Sequence, residues 1–125
     1  MAGMTVTKLE AKSHETPDEV RAPSKTRVEV VRLEGFTLGR FIFQPGWRWS
    51  ECVKPVAGTD SCQVAHMGYQ VSGRMGVKMD DGSEHEFGPG DAGVIPPGHD
   101  AWVVGNEPVV FIDFQGASVY AKPKA

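Results

Sequence analysis

The feature of this chain that most constrains its fold is a two-residue alternation of apolar and polar side chains from about residue 27 to residue 114. Turn residues break the alternation roughly every 8–12 residues, as in small sandwiches and barrels. The sequences "DDG" (80–82) and "GPGD" (88–91) are typical of turns between neighbouring strands. The segment "WRWSECV" (47–53) also alternates and is predicted to be a strand. No segment shows helical spacing over a convincing length. The pattern predicts roughly eight to ten short strands in an all-β, antiparallel sandwich or barrel.

The length of 125 residues suits a single domain. Residues 1–25 lack sustained periodicity and are rich in polar residues, so we expect an N-terminal arm that is disordered or supplies an edge strand. The barrel is predicted to occupy residues 26–120, and residues 121–125 to form a tail.

Charge and hydropathy exclude several classes of partner. The formal net charge is −3 and no basic run stands out, which argues against nucleic acid. No apolar run approaches the ~20 residues of a membrane-spanning helix, so no membrane partner is expected. The polar N-terminus lacks a secretory segment, and the two cysteines are then expected to be reduced in the cytoplasm.

Two stretches carry a family resemblance. "EFGPGDAGVIPPGHDAW" (86–102) resembles the second conserved motif of the cupins, with Gly90, Pro96 and Gly98 in place. "HMGYQVSGRMGVKMDDGSEHEFGPGD" is similar to the cupin region in which a metal-binding residue precedes a hairpin glycine. The likeness spans residues 58–106, and the strand pattern extends it to about 114. It implies a small jelly-roll barrel whose open end admits a small-molecule ligand, and a homodimer.

The sequence departs from the cupin pattern at the metal-binding positions. The usual set of His, His, Glu and His falls here on Asp60, Cys62, His66 and Ala101. The three-histidine, one-carboxylate iron site of many cupins is therefore not the expectation for this chain.

A different ligand set remains available. Cys62 and His66 have the same strand parity, as do His99 and Ala101, and Cys52 ends the segment predicted to lie near the barrel mouth. We therefore predict one divalent metal ion held by Cys52, Cys62, His66 and His99. Thiolates with imidazoles favour zinc, iron is the other leading candidate, and nickel, copper and manganese follow. The alternative is that the cysteines are small buried apolar residues and that His99 caps a turn.

Other residues are candidates for contact with a ligand. Predicted substrate-binding residues are Trp47, Trp49, Gln63 and Trp102, because ligand sites combine apolar walls with a few polar groups. Predicted catalytic residues, acting in proton transfer or orientation, are Glu51, Tyr69 and Gln70. The tryptophans have an alternative interpretation as an outer belt or dimer surface, and Gln70 as a cross-strand hydrogen-bonding residue.

Three functions fit these features. The favoured one is a small metalloenzyme, of oxygenase, isomerase or lyase type, that acts on a small organic molecule. The alternative is a non-catalytic ligand-binding sensor with no metal or only a structural one, which Ala101 supports. A purely structural dimer module would instead have a barrel filled by side chains.

Overall fold

The structure, a computed structural model, describes residues 6–123 and is almost entirely antiparallel β. The strands are β1 (Glu19–Arg21), β2 (Thr26–Leu33), β3 (Phe36–Phe43), β4 (His66–Ser72), β5 (Arg74–Met79), β6 (Glu84–Phe87), β7 (Ala92–Ile95), β8 (His99–Val104) and β9 (Val109–Asp113). Two one-turn helices, α1 (Trp49–Cys52) and α2 (Lys54–Ala57), lie between β3 and β4. The predicted fold class is confirmed. None of the helices in residues 6–123 is long and apolar enough to cross a membrane.

The strands form two sheets that enclose the core. One sheet has the order β1-β2-β3-β9-β4-β7 and the other β6-β5-β8. Alternate residues of each strand point inward, as the buried positions of β3 and β4 show. Aromatic and β-branched side chains fill the space between the sheets, among them Phe41, Phe43, Trp47, Val77 and Phe111.

The segment 47–53 is not the predicted strand. Arg48 makes an isolated bridge to Trp102, and the chain then enters α1. The carboxylate of Asp100, in β8, accepts hydrogen bonds from the Ser50 backbone N–H (3.0 Å) and the Ser50 hydroxyl (2.8 Å). This capping partner lies fifty residues away, so the local pattern could not reveal the helix.

A tight turn sets the position of β8. Gly98 has φ of 94°, a left-handed conformation that favours glycine, in the turn that follows Pro96 and Pro97. The Gly98 N–H donates to the Cys62 carbonyl (2.7 Å), and the Cys62 N–H donates to the His99 carbonyl (2.7 Å). The turn places Cys62 and His99 side by side.

Residues 19–21 and residues 115–121 pack onto the same sheet. Residues 19–21, within the predicted arm, form β1 by pairing with β2 of the same chain. Residues 115–121 follow β9, and Ala117, Tyr120 and Ala121 are buried in the core. The predicted division into arm, barrel and tail remains a prediction.

Candidate metal centre

Three of the predicted metal ligands converge between the sheets. One side-chain ligand atom each from Cys62, His66 and His99 lies within 4.8 Å of the other two, and all three residues are buried. Cys62 Sγ lies 3.9 Å from His66 Nε2. Cys62 forms a bridge with His99 at the start of β8, and His66 begins β4, so three separate chain segments meet at one point.

His66 is oriented by a buried carboxylate. Its Nδ1 hydrogen-bonds Asp113 Oδ2, and Asp113 is fully buried at the end of β9. The other oxygen of Asp113 accepts the backbone N–H groups of Gln115 (2.7 Å) and Gly116 (2.6 Å). A carboxylate on Nδ1 places the proton there and leaves the Nε2 lone pair facing Cys62, the arrangement that supports histidine ligands in metal sites.

His99 has the same arrangement with a different partner. Its Nδ1 lies 2.8 Å from the Pro96 carbonyl oxygen, which only a protonated Nδ1 can bond. Burial lowers the pKa of the imidazole to about 4, so it is neutral at pH 7 and its Nε2 has a free lone pair. A neutral imidazole is the form that binds a metal ion.

The Cys62 thiol is protonated in the absence of a cation. Burial raises its pKa to about 11, and the negative charges of Asp113 and Asp100 add to the effect. A cation that binds here must therefore displace the thiol proton, so its affinity will rise with pH.

The donor set fits a thiophilic cation. In a tetrahedral zinc site the ligand atoms lie about 3.3–3.6 Å apart, given Zn–S of about 2.3 Å and Zn–N of about 2.0–2.1 Å. The 3.9 Å between Cys62 Sγ and His66 Nε2 and the other separations, of up to 4.8 Å, are longer than this, so the side chains must close around an ion. One thiolate and two imidazoles leave a fourth position without a ligand from this cluster.

A small cavity adjoins the cluster. Its volume is about 20 Å³, enough for about one water molecule. His66, His99, Trp47, Trp49 and Tyr120 contribute to its wall, which is mainly apolar. The Ala101 methyl group also faces this cavity, so no fourth ligand comes from the position where cupins usually carry a histidine.

Cys52 and Asp60 lie outside the cluster. Cys52 is buried in the core at the end of α1 and its thiol is free. Asp60, at the position of the first cupin histidine, is exposed and 3.9 Å from Lys54. The structure thus brings together three of the four predicted metal ligands.

The predicted substrate-binding tryptophans separate into two groups. Trp47 and Trp49 are buried and line the cavity, and Trp47 stacks on Phe43 with ring centroids 3.8 Å apart. Trp102 is half-buried, with the Arg48 guanidinium 4.8 Å from the ring centre, away from the cavity wall.

The remaining predicted residues lie away from the cavity. Glu51, Gln63 and Tyr69 are exposed. Gln70 is fully buried, but its Nε2 donates to backbone carbonyls two and three residues further on, each at 3.1 Å, and it does not line the cavity. Its Oε1 has no hydrogen-bond partner among the described residues.

Two features of the site were not predicted, namely the contact of Asp113 with His66 and the presence of Tyr120. Asp113 is the one carboxylate in the apolar strand "VVFIDF", and a buried charge of this kind needs a partner. That signal marks Asp113 as special without showing which histidine it contacts. Tyr120 follows the last strand, where the alternation has ended.

Solved structures share this architecture. The chain is 16% identical to a cupin-like protein from Thermotoga maritima, covering 74% of this chain and 68% of that one, with a TM-score of 0.51. This chain has the cupin fold. The cupin fold also relates it to the polyketide cyclase RemF from Streptomyces resistomycificus, at 20% identity over 88% of this chain and 80% of the cyclase, with a TM-score of 0.62.

A third relative by fold is a much longer protein. An oxalate decarboxylase from Lactobacillus farciminis, in complex with formate, matches at 19% identity and a TM-score of 0.57. The match covers 82% of this chain but only 32% of the decarboxylase. No protein-family model matches the chain, and no curated protein matches it. The predicted jelly-roll cupin fold is confirmed, and at these identities the likeness concerns the fold alone.

Proposed function

We propose that this cupin is a mononuclear metalloprotein that binds one divalent cation through Cys62, His66 and His99. The observation that carries the proposal is the convergence of three buried ligand atoms within 4.8 Å. Both imidazoles hold their Nδ1 atoms on fixed acceptors, so their Nε2 atoms are available to a cation.

Zinc is the cation that this donor set favours. One sulfur and two imidazole nitrogens suit a borderline-soft ion, and the apolar surroundings disfavour magnesium and calcium, which prefer oxygen ligands. Iron, nickel, copper and manganese are the other candidates, and Cys62 makes manganese the weakest of them.

We further propose that the protein is an enzyme acting on a small organic molecule. Three protein ligands and an open fourth position are typical of catalytic zinc sites, whereas structural sites are closed by four ligands. A bound cation would supply Lewis-acid polarisation of a substrate oxygen. Trp47, Trp49 and Tyr120 would exclude water, and Asp113 would hold the His66 ring and its proton in place.

Structures of this fold include enzymes that act on small organic molecules. Two structural neighbours, an oxalate decarboxylase and a polyketide cyclase, support the enzyme class by analogy only. Glu51, Tyr69 and Gln70 do not line the cavity, so they take no part in proton transfer in the proposed reaction.

A non-catalytic ligand-binding protein is the second candidate. The small, mainly apolar cavity and the Ala101 methyl group favour it, because such a site offers shape but few polar groups. In this case the cation is absent or only structural.

Metal analysis of protein purified without chelator tests the proposal. We expect about one equivalent of zinc per chain, and a drop in melting temperature on treatment with EDTA, because a ligand that binds only the folded state stabilises it. His66→Ala, His99→Ala and Cys62→Ser should each lose the ion. The matched control is His85→Ala, because His85 is exposed and outside the cluster.

The outcomes separate the two candidates. An ion retained by His85→Ala and lost by the three cluster variants, with circular dichroism unchanged, supports the metal site. A metal-free protein whose melting temperature does not respond to EDTA or added zinc supports the sensor and contradicts the metalloenzyme.

A further inference from the structure

Residues 115–121, here called the C-terminal strap, form one wall of the cavity. Tyr120 is buried and stacks on Phe41, with ring centroids 4.7 Å apart and planes 17° apart. Its ring also lies edge-on to His66, at 5.1 Å. Val119, the preceding residue, is 55% exposed. The strap is therefore a single layer of chain between the cavity and solvent.

The strap is held by a side chain rather than by a strand ladder. Within residues 6–123, its backbone-to-backbone hydrogen bonds are internal, from Val119 and Tyr120 to the Gly116 carbonyl. The Arg21 guanidinium, from β1, donates to the carbonyls of Ala117 (2.7 Å) and Tyr120 and, more weakly, to that of Ser118 (3.3 Å). Arg21 is itself buried and paired with Glu19. One arginine thus secures the outer half of the strap.

The inner end of the strap is joined to the metal centre. Asp113 bonds His66 with one oxygen and the first amides of the strap with the other. Gly116 packs so closely that a Cβ atom there would lie 2.8 Å from His66 Nδ1 and 2.6 Å from the Ala65 carbonyl oxygen. Asp113 is therefore the fixed end about which the strap would lift.

The other walls of the cavity are fixed more firmly. Most of its lining comes from strands within hydrogen-bonded sheets. Trp47 and Trp49 lie outside the strands. The Trp47 carbonyl accepts the Val103 N–H (3.0 Å) and its Nε1 donates to Thr26 Oγ1 (2.8 Å), and Ser50, next to Trp49 in α1, is bonded to Asp100 of β8. Local opening takes place where the fewest backbone bonds must break, and in this cavity that is the strap.

We propose that the C-terminal strap is a lid over the Cys62, His66 and His99 centre, that Arg21 is its latch, and that Tyr120 limits the size of molecule that enters. The cavity of about 20 Å³ is too small for an organic substrate, and lifting of the strap would make room for one. The part of this proposal that concerns ligand entry rests on the proposed function. The opening itself does not depend on a bound cation.

Accessibility of the Cys62 thiol, whose sulfur lies 3.9 Å from Nε2 of the cavity-lining His66, reports on the opening. The experiment uses the full chain with Cys52→Ser, so that Cys62 is the one thiol, in the presence of chelator. The rate of labelling is measured with a small reagent, methyl methanethiosulfonate, and a bulky one, the aromatic disulfide DTNB. We expect Arg21→Ala to raise both rates by about tenfold or more, because it removes three charge-assisted hydrogen bonds from the strap.

A matched control is available on the neighbouring strand. Arg32 pairs with the same Glu19 but does not contact the strap. Arg32→Ala should leave the labelling rates within about twofold of the parent, as expected for an exposed ion pair. Arg21→Lys keeps the positive charge but has fewer hydrogen-bond donors. Its labelling rates should lie between those of the parent and those of Arg21→Ala.

The role of Tyr120 has its own test. Tyr120→Leu should raise the rate with DTNB more than the rate with the small reagent, because it widens the entrance. Tyr120→Phe should change neither rate, since it keeps the ring that blocks the cavity. Equal acceleration of both reagents by Tyr120→Leu would show that Tyr120 does not select by size.

The dependence on urea distinguishes lid opening from unfolding. Opening of seven residues exposes little surface, so labelling should respond far less steeply to urea than global unfolding does. Two results together would contradict the lid. The labelling rate would depend on urea as steeply as global unfolding does, and it would be equal in Arg21→Ala and Arg32→Ala after correction for their stabilities. Protection of Cys62 by added zinc is a separate result that bears on the proposed metal site alone.

Discussion

Two buried histidines in this protein each have one ring nitrogen bonded to a fixed acceptor, and both lie beside the buried Cys62. His66 is held by Asp113 and His99 by the Pro96 carbonyl. The acceptors fix both the ring orientation and the tautomer. A cation would therefore meet two imidazoles that are already oriented, so less ordering would be needed on binding.

The first residue-scale prediction concerns Asp113. In Asp113→Asn the side-chain oxygen still accepts the amides of Gln115 and Gly116, but the NH2 group cannot accept the His66 Nδ1 proton. We expect zinc affinity to fall by about 10–100-fold, as measured by competition with a chromophoric chelator. The control is Asp81→Asn, because Asp81 is exposed and bonds only Ser83. Unchanged affinity in Asp113→Asn would contradict the supporting role of Asp113.

The second concerns the pH dependence of the metal-free protein. Burial lowers the pKa of His99 from 6.5 to about 4, so the unfolded chain binds more protons than the folded one between these pH values. The free energy of unfolding should therefore fall as pH drops from about 6.5 to 4, by at most about 1.4 kcal/mol per pH unit. Urea titrations of the parent and His99→Asn in chelator check this. Equal pH slopes in the two proteins would show that His99 is not buried in its neutral form.

At the scale of elements, the strands and the turns between them were predictable because their signals are local. Alternation of buried side chains and glycines that favour positive φ both act over a few residues. Helix α1 was not predicted because Trp47 and Trp49 alternate as in a strand, although a loop and a single helical turn bury them. Its capping residue, Asp100, lies far away in the sequence, in β8. Motif spacing found Cys62 and His66, and strand parity found His99. Asp113 and Tyr120 enter the site through long-range contacts that leave no local pattern.

Asp100 should anchor α1 to β8. We expect Asp100→Ala to reduce the free energy of unfolding by about 1–2 kcal/mol, because it removes the bonds to the Ser50 N–H and hydroxyl. Chemical denaturation followed by tryptophan fluorescence measures the change, with Glu51→Ala as control, since Glu51 is exposed on the same helix. A loss no greater than that of the control would show that α1 does not depend on this cap.

At the scale of the whole molecule, the two edges of the larger sheet differ. The β1 edge carries charged residues in ion pairs, including Glu19 and Arg21. The β7 edge has the uncharged sequence "AGVI", and large apolar side chains are exposed beside it: Met67, Tyr69, Val94 and Phe114. An uncharged strand edge next to an apolar face favours association, whereas charges protect an edge from it.

We therefore expect a homodimer that pairs through the β7 edge and the face beside it. Light scattering at micromolar concentration should give twice the mass of the chain, and Val94→Lys should shift it toward the monomer. Val20→Lys, a partly exposed apolar residue on the opposite edge, is the control and should remain dimeric. A monomeric parent protein would show that the dimer prediction is wrong.

Cobalt substitution tests most directly whether the cysteine and both histidines bind one ion. If Cys62, His66 and His99 bind one ion, the cobalt(II) protein should show an intense near-ultraviolet thiolate-to-cobalt charge-transfer band and the visible bands of tetrahedral cobalt. The charge-transfer band should disappear in Cys62→Ser and persist in Cys52→Ser. Absence of cobalt uptake by the folded protein, or a charge-transfer band that depends on Cys52 instead of Cys62, would contradict the proposed metal site.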